Sequence, residues 1–261
     1  MERVGILGAG SWGLALGRLL THAGHEVQLW EIDPPAAEAL QHARQLPDKL
    51  PGVLLPDSVG VGSDLDQVVD GAAFVVVAVP SRFFESTLQQ LSRTGWPGAN
   101  TAGCLVIASK GLIYPGGRRL SEASREILPQ VPVVVLSGPS HAEEVGQDQP
   151  TAVVAASKDK EATEAVQALF MTPRFRVYTN RDVIGVEVGG ALKNVLAIAS
   201  GISDGLGFGD NSRAALITRG LREMVALGER QGGQRETFLG LSGLGDLVVT
   251  CTSRHSRNRR L

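Results

Sequence analysis

Arg3-Val-Gly-Ile-Leu-Gly8-Ala-Gly10-Ser11-Trp12-Gly13 opens the chain with an apolar run that breaks into three spaced glycines, after which apolar residues resume from Leu14 to Leu20. A short buried strand, a tight turn and a helix account for that order. Gly8 allows the turn, Gly10 lets backbone approach a pyrophosphate, Gly13 permits close helix packing, and the helix N-terminus attracts the phosphate charge. GxGxxG alone is a weak pattern, because a glycine-rich turn with no ligand is spelled the same way. Its setting makes it specific. A second strand, Glu26-Val-Gln-Leu-Trp30, runs into Glu31, eighteen residues past Gly13, close to the spacing of a carboxylate that holds adenosine ribose hydroxyls. Gly8, Gly10, Gly13 and Glu31 are therefore candidate cofactor residues of a dinucleotide fold.

Beyond this unit, strand-like and helix-like segments alternate. Phe74-Val-Val-Val-Ala-Val79 is a continuous apolar run closed by Pro80, as expected of a parallel strand covered on both faces. Further strands are expected at 104–108, 133–136, 153–156 and 176–178, with helices near 34–45, 82–92, 119–128 and 159–170. The pattern predicts an α/β, Rossmann-like doubly wound sheet. From about residue 182 the strands stop, and two long helical runs, 183–203 and 211–231, predict an all-helical C-terminal domain. The expected division is 1–180 for dinucleotide binding and 181–261 for substrate and catalysis.

Composition narrows the partners. The chain has 261 residues, 43% of them hydrophobic and 20% charged, with a formal net charge of -2, which gives no electrostatic footprint for nucleic acid or an anionic membrane. Small molecules are the expected partners. Cys104 and Cys251 lie in apolar or small surroundings and read as reduced thiols of a cytoplasmic protein. The N-terminus enters a strand at once, and no apolar stretch is expected to reach a membrane-spanning 18 residues, so neither export nor membrane insertion is expected. No histidine or cysteine spacing suggests a metal.

One charge stands out in the helical part. In Glu187-Val-Gly-Gly-Ala-Leu-Lys193-Asn-Val-Leu-Ala-Ile-Ala-Ser200 the lysine shares a face with Gly189, Gly190, Ala197 and Ser200, all small, so another backbone or a flat ligand can come close. Leu192, Val195, Leu196, Ala199 and Ile202 lie opposite, and the helix is expected to be buried around much of its circumference. A lysine that snorkels to the rim is the bland alternative.

Two loops at expected strand ends carry polar groups. Ser109-Lys110-Gly111 and Ser137-Gly138-Pro139-Ser140-His141-Ala142 fall in the crevice where open sheets bind ligands. Lys110 reads as a ligand contact or a surface loop lysine. Gly138 and Ser140 read equally well as ligand donors or as an ordinary strand-to-helix turn. His141 reads as structural, and Trp12 and Trp30 as packing residues. Asp210 and Asn211 are good helix caps, whereas Asp246, after three spaced glycines, is open between a cap and a ligand. Arg254, Arg257, Arg259 and Arg260 form a basic cluster for which a phosphate is the better partner than nucleic acid.

Together, Gly8-Ala-Gly-Ser-Trp-Gly13, Ser109-Lys-Gly111, Ser137-Gly-Pro-Ser-His-Ala-Glu-Glu-Val145, Gly189-Gly-Ala-Leu-Lys-Asn194 and Leu244-Gly-Asp-Leu-Val-Val-Thr-Cys-Thr-Ser253 resemble the bacterial type of NAD(P)-dependent glycerol-3-phosphate dehydrogenase, almost end to end. The resemblance implies an oxidoreductase that interconverts dihydroxyacetone phosphate and sn-glycerol 3-phosphate and supplies the latter for glycerophospholipid synthesis. It implies that Lys193 accepts the proton of the substrate hydroxyl, and that Lys110, Gly138, Ser140, Asp246, Ser256, Arg257 and Asn258 line the substrate site. Ser11, Trp12, Lys110, Ala142 and Arg257 would contact NAD or NADP. Two departures stand out. The chain stops at Leu261, where members continue through further helices, so the helical domain reads as cut short and poorly active as it stands. Position 32 is isoleucine, where many members carry a basic residue.

The chemistry follows without the resemblance. Hydride transfer to a ketone needs a proton donor for the oxygen, and lowering a lysine from about 10.4 to 7 or 8, about 4 kcal/mol, is within reach of a desolvated site beside another cation such as Lys110. A related 3-hydroxy-acid dehydrogenase, and a dinucleotide-binding sensor without turnover, are the other readings of the same residues. NADH is expected to be preferred over NADPH. Glu31 and Asp33 lie where the adenosine ribose should sit and that turn has no Arg or Lys, although both acids also suit the start of a helix at Pro34. A homodimer is compatible with all of these readings.

Overall fold

A computed structural model describes residues 1–98, 103–253, 256, 258 and 259. The first half alternates as expected: β1 (Arg3–Leu7), α1 (Ser11–His22), β2 (Glu26–Trp30), α2 (Pro34–Ala43), β3 (Gly60–Gly62), α3 (Leu65–Val69), β4 (Phe74–Val77) and α4 (Phe84–Leu91). Next come β5 (Cys104–Ile107), a two-stranded hairpin of β6 (Leu112–Ile113) and β7 (Arg118–Arg119), α5 (Leu120–Ile127), β8 (Val133–Ser137), α6 (Ala142–Gly146), β9 (Thr151–Ala156), α7 (Lys160–Phe170) and β10 (Phe175–Asn180). The last part is helical: α8 (Val183–Gly205), α9 (Asp210–Arg230), α10 (Arg235–Leu239), a π-helical turn over Leu241–Gly245, and α11 (Asp246–Thr252).

The main sheet runs β10-β9-β8-β5-β4-β1-β2-β3. Strand order reverses between β1 and β4, which pair in parallel, so the crevice at their carboxyl ends is the switch point where such sheets take ligands. The fully buried run Phe74–Val77 and its neighbours β1 and β5 separate two apolar layers. One contains Ile6, Leu16 and Val106, the other Leu7, Val75 and Ile107, as period-two alternation requires of strands covered on both faces. Burying each such side chain contributes about 1.5–3 kcal/mol relative to leaving it exposed.

Three expectations need correction, and the sequence leaves one strand direction open. β9 pairs antiparallel with β8, so the sheet is mixed; an apolar run such as Val133–Leu136 carries no information about the direction of its partner. Among the described residues α8 is covered except along the stripe directly opposite the lysine, while Leu192 and Leu196 pack against α9. Val195 is 66% and Ile202 59% exposed, so the apolar side opposite the lysine faces outward. α8 is also long and apolar enough by composition to cross a membrane, contrary to the sequence expectation, yet Glu187 and Lys193 engage groups of other elements and much of the helix is buried. The residue that caps α9 is Gly209 and not Asp210, whose carboxylate instead pairs with Arg213 at 2.6 Å.

α8 starts where it does because Asp182 accepts hydrogen bonds from the amides of Gly185 and Gln234, at 2.8 and 2.7 Å. A buried carboxylate thus joins the first turn of α8 to the entry of α10. Both cysteines are free and buried. Burial pushes the Cys104 thiol up to about 12 and the Cys251 thiol up to about 11, which makes them poor nucleophiles.

Candidate functional site

The turn after β1 is built from what it leaves out. Gly8 has φ +111° and packs against Ala78 and Val79 of the strand across the switch point, so a side chain there meets both strain and a wall. A Cβ on Gly13 would lie 1.9 Å from the Gly8 carbonyl oxygen, so only glycine lets α1 close onto the turn. Gly10 is different. A Cβ there would meet nothing within 4 Å, so open space lies beside Gly10 at the start of a twelve-residue helix whose first turn has no side-chain cap. This cradle fits a dinucleotide pyrophosphate.

The other cofactor candidates flank the turn. Ser11 donates to the Lys49 carbonyl at 2.7 Å, and Trp12 packs at the edge of the apolar layer. Ala142 opens α6, which packs along α1. Glu31 follows the last residue of β2, and its Oε1 accepts from the Asp33 amide at 3.2 Å. Asp33 occupies the cap position of α2 without a side-chain capping bond.

Across the crevice, three charges meet in a small volume. Lys193 is 7% exposed and Asp246 1%. The Asp246 Oδ1 atom accepts a hydrogen bond from Lys193 Nζ, while Oδ2 accepts from Lys110 Nζ at 2.8 Å. Lys110 Nζ also donates to the Gly138 carbonyl at 2.8 Å, and Ser140 Oγ donates to the same oxygen at 3.0 Å. Burial lowers Lys193 to about 7, helped by the positive charge of Lys110, with Asp246 opposing. An ammonium has three donors, so among the described residues Lys193 uses one and Lys110 two, leaving N–H groups for a ligand.

The small residues beside Lys193 are occupied by protein. A Cβ on Gly189 would come within 2.7 Å of the Ser242 carbonyl in the π-helical turn, and one on Gly190 within 2.9 Å of Ser137 Oγ. The close approach expected of this face is therefore made by backbone and a serine. Ser137 Oγ is buried with no hydrogen-bond partner among the described residues. The turn Leu241–Gly245 presses on Gly189 and delivers Asp246 at the first position of α11.

Of the C-terminal candidates, Ser256 is buried and its Oγ accepts from the Arg259 amide at 3.3 Å, while Asn258 Nδ2 donates to Asn194 Oδ1, next to the lysine, at 2.8 Å. Arg257, like Arg254 and Arg260, lies outside the described residues. The basic cluster read from sequence loses one member. Arg259 is paired with Asp204 at 2.7 Å and is not free for a phosphate.

Sequence reading missed Glu187, which sits in the quoted helix as its one buried acid. It accepts from both the amide and the hydroxyl of Ser121 at the start of α5, with Arg119 3.7 Å away, and burial raises its carboxyl above the usual range despite those bonds. The signal was the one used for Lys193: an ionisable group in an apolar helix. His141 precedes α6 with Nε2 3.5 Å from the Val249 carbonyl, and burial lowers its pKa.

Comparison with known proteins agrees along the chain. Residues 3–163 match the family model of the NAD-dependent glycerol-3-phosphate dehydrogenase N-terminus, and residues 182–261 that of its C-terminus. Glycerol-3-phosphate dehydrogenase [NAD(P)+] of Desulfitobacterium hafniense is 50% identical over 260 residues, all of this chain and 72% of the relative. The enzyme of the same name from Clostridium tetani is 46% identical over all of this chain and 73% of the relative. The crystal structure of glycerol-3-phosphate dehydrogenase from Coxiella burnetii superposes with a TM-score of 0.94 at 43% identity, covering 99% of this chain and 78% of that one.

Proposed function

This chain belongs to the NAD-dependent glycerol-3-phosphate dehydrogenase family, and we infer from that premise how its residues divide the work of interconverting dihydroxyacetone phosphate and sn-glycerol 3-phosphate. It is an NAD(P)-dependent oxidoreductase acting on a small phosphorylated substrate. The observation that carries the residue assignment is the Lys110–Asp246–Lys193 cluster, which holds a lysine near pH 7 with donors to spare.

In this reading the open cradle at Gly10 receives the dinucleotide, with Gly8 and Gly13 shaping the turn and Ser11, Trp12, Glu31, Ala142, Lys110 and Arg257 lining its path. The bound nicotinamide supplies or accepts the hydride. Lys193 handles the proton. With a pKa of about 7 its ammonium and amine are both populated at neutral pH, so it donates to the substrate oxygen in reduction and accepts in oxidation. Asp246 keeps the two lysines together; without it, two ammonium groups in one buried pocket would repel. Lys110, Gly138, Ser140, Ser256, Arg257 and Asn258 receive the phosphate and hydroxyl groups. The cluster carries one net positive charge when Lys193 is protonated, the sign a phosphate monoester needs.

The division at residues 180 and 181 belongs to the same proposal, since β10 ends at Asn180 and α8, bearing the lysine, begins at Val183. So do a cytoplasmic location, the absence of nucleic-acid and membrane partners, the supply of glycerol 3-phosphate to glycerophospholipid synthesis, a homodimer and a preference for NADH. The decisive experiment is oxidation of NADH and NADPH by the purified chain with dihydroxyacetone phosphate. Turnover that requires this substrate supports the reading. Cofactor binding without turnover would favour a sensor, and a preference for 3-oxo acids would favour the hydroxy-acid reading.

A further inference from the structure

Asn258 and Arg259, C-terminal to α11, meet the same face of α8 that carries the lysine. Lys193, Asn194, Ala197, Ser200, Gly201 and Asp204 follow one another at steps of one or three residues, and each of the polar ones holds a residue of α11 or one of Asn258 and Arg259 beyond it. Lys193 holds Asp246 at the start of α11, and Ser200 Oγ donates to the Cys251 carbonyl near its end at 3.1 Å. Asn194 then accepts from Asn258. At Gly201 the backbone of Arg259 comes so near that a Cβ would lie 2.2 Å from its carbonyl oxygen.

Arg259 makes most of the closing contacts. Its Nε donates to Asp204 Oδ2 at 2.7 Å, its Nη1 to the carbonyl of Thr252, the last residue of α11, at 2.9 Å, and its amide to Ser256 Oγ at 3.3 Å. The other oxygen of Asp204 accepts from Arg213 of α9 at 2.6 Å. Bonds from Arg213 and then Arg259 hold the Asp204 carboxyl below its ordinary range, so it is charged at neutral pH. Ser256, Asn258 and Arg259 are thereby tied to one another and to α8, with Asp204 holding Arg259.

We propose that the Asp204–Arg259 ion pair is a latch that sets Ser256 and Asn258 on the lysine helix, making Asp204 and Arg259 positioning residues that touch no substrate. This rests on the reading of Ser256 and Asn258 as substrate-site residues. Releasing the latch loosens Ser256 and Asn258 without altering the cluster around Lys193, so the effect falls on substrate affinity. The test compares Asp204→Asn, Gly201→Ala and Asn258→Ala in the purified chain, reading KM for dihydroxyacetone phosphate, kcat, the apparent acid limb near pH 7, and NADH affinity by fluorescence. Asp204→Asn is expected to raise KM about fivefold, as loss of one partly exposed ion pair would, with kcat and NADH affinity within twofold. Gly201→Ala should act in the same direction, and Asp204→Glu should recover most of the loss. If Asn258→Ala raises KM but Asp204→Asn and Gly201→Ala do not, the latch is wrong and the site reading stands. If Asn258→Ala leaves KM alone, the site reading fails and the latch falls with it. A parallel loss of kcat, NADH affinity and substrate affinity in Asp204→Asn would mean a general structural role and would also overturn the latch.

Discussion

The Gly8–Gly13 turn and the Lys110–Asp246–Lys193 cluster sit at the carboxyl ends of strands in one sheet or against them, yet they are made in opposite ways. The turn works by subtraction: positive φ at Gly8, an impossible Cβ at Gly13, and unfilled space at Gly10. The cluster works by burying Lys193 and Asp246, with Lys110 partly buried beside them, and satisfying these charges with one another. Space is tolerant of what fills it as long as nothing is added, whereas buried charge is sensitive to every partner. Substitutions should therefore fail differently in the two regions, through binding at the turn and through the chemical step at the cluster.

The sharpest break is expected at Lys193. Lys193→Met should lower kcat by about 10² to 10⁴, the usual worth of a positioned acid or base, and leave NADH affinity close to that of the parent protein. Near-native turnover in this variant would remove the assignment. The same lysine sets the pH dependence. Reduction needs the ammonium, so its rate should fall as pH rises through about 7, while oxidation should rise over the same range. A dianionic substrate stabilises the ammonium, so the limb seen in kcat should lie at higher pH than the limb seen in kcat/KM. Absence of both limbs would move the proton transfer to another group.

Stability carries a second signature of Lys193. Its folded pKa of about 7 lies below the unfolded value of about 10.4, so between these pH values the unfolded chain binds the extra proton and the folded one does not. The contribution of this group to stability is thus fully present above the unfolded value and is lost as pH falls towards 7. Chemical denaturation across pH 7–10 should show Lys193→Met varying less steeply with pH than the parent, and identical slopes would contradict the burial argument.

At the turn, the comparison predicts a split between two glycines. Gly13→Ala drives a Cβ into the Gly8 carbonyl and should cost both stability and cofactor binding, by about 1–3 kcal/mol in overpacking alone. Gly10→Ala meets no atom of the described residues, so its melting temperature should stay within about 2 °C of the parent, a change of about 1 kcal/mol or less for a chain of this size, while NADH binding weakens. Differential scanning fluorimetry with and without NADH separates the two. A Gly10→Ala protein that binds NADH as well as the parent would show that the open space is not the cofactor's.

The sequence was informative where one residue's neighbours along the chain decide its environment. The glycine turn, the apolar run at Phe74–Val77 and the isolation of Lys193 are local patterns, and they carried the sheet, the switch point and the lysine. What was hidden depends on contacts across the chain. The direction of β9 depends on its partner, and β3 is three residues, two of them glycine, with no apolar run to announce it. Asp246 read equally as a cap because its real partners lie 53 and 136 residues away. The outward apolar side of α8 carries the same letters as a buried one. Glu187 could have been found, since a buried acid in an apolar helix asks the same question as a buried lysine.

The smallest expected effect lies at the tip of β2, where the turn region does use a charge. A 2′-phosphate brings close to two negative charges to the adenosine ribose. Beside Glu31 it would be repelled and would lose the ribose hydrogen bonds, together about 1 to 3 kcal/mol, or roughly ten- to a hundredfold in favour of NADH. The structure adds a competing occupation: Glu31 Oε1 already accepts from the Asp33 amide, and one carboxylate oxygen remains for the ribose. That pushes the expected preference towards the lower end. Asp33 makes no capping bond of its own, so its charge adds to the repulsion, and Ile32, 63% exposed between them, offers a 2′-phosphate nothing to bind. Glu31→Ala should then narrow the gap in kcat/KM between the two cofactors several-fold without reversing it, because Asp33 stays and no cation is added. Ile32→Arg should narrow it further, since a guanidinium at that exposed position can reach the phosphate. Steady-state kinetics with both cofactors at low salt decide the matter. Equal or greater specificity for NADPH in the parent protein would sink the preference, and a gap that Glu31→Ala leaves untouched would reduce Glu31 to a turn residue serving Asp33.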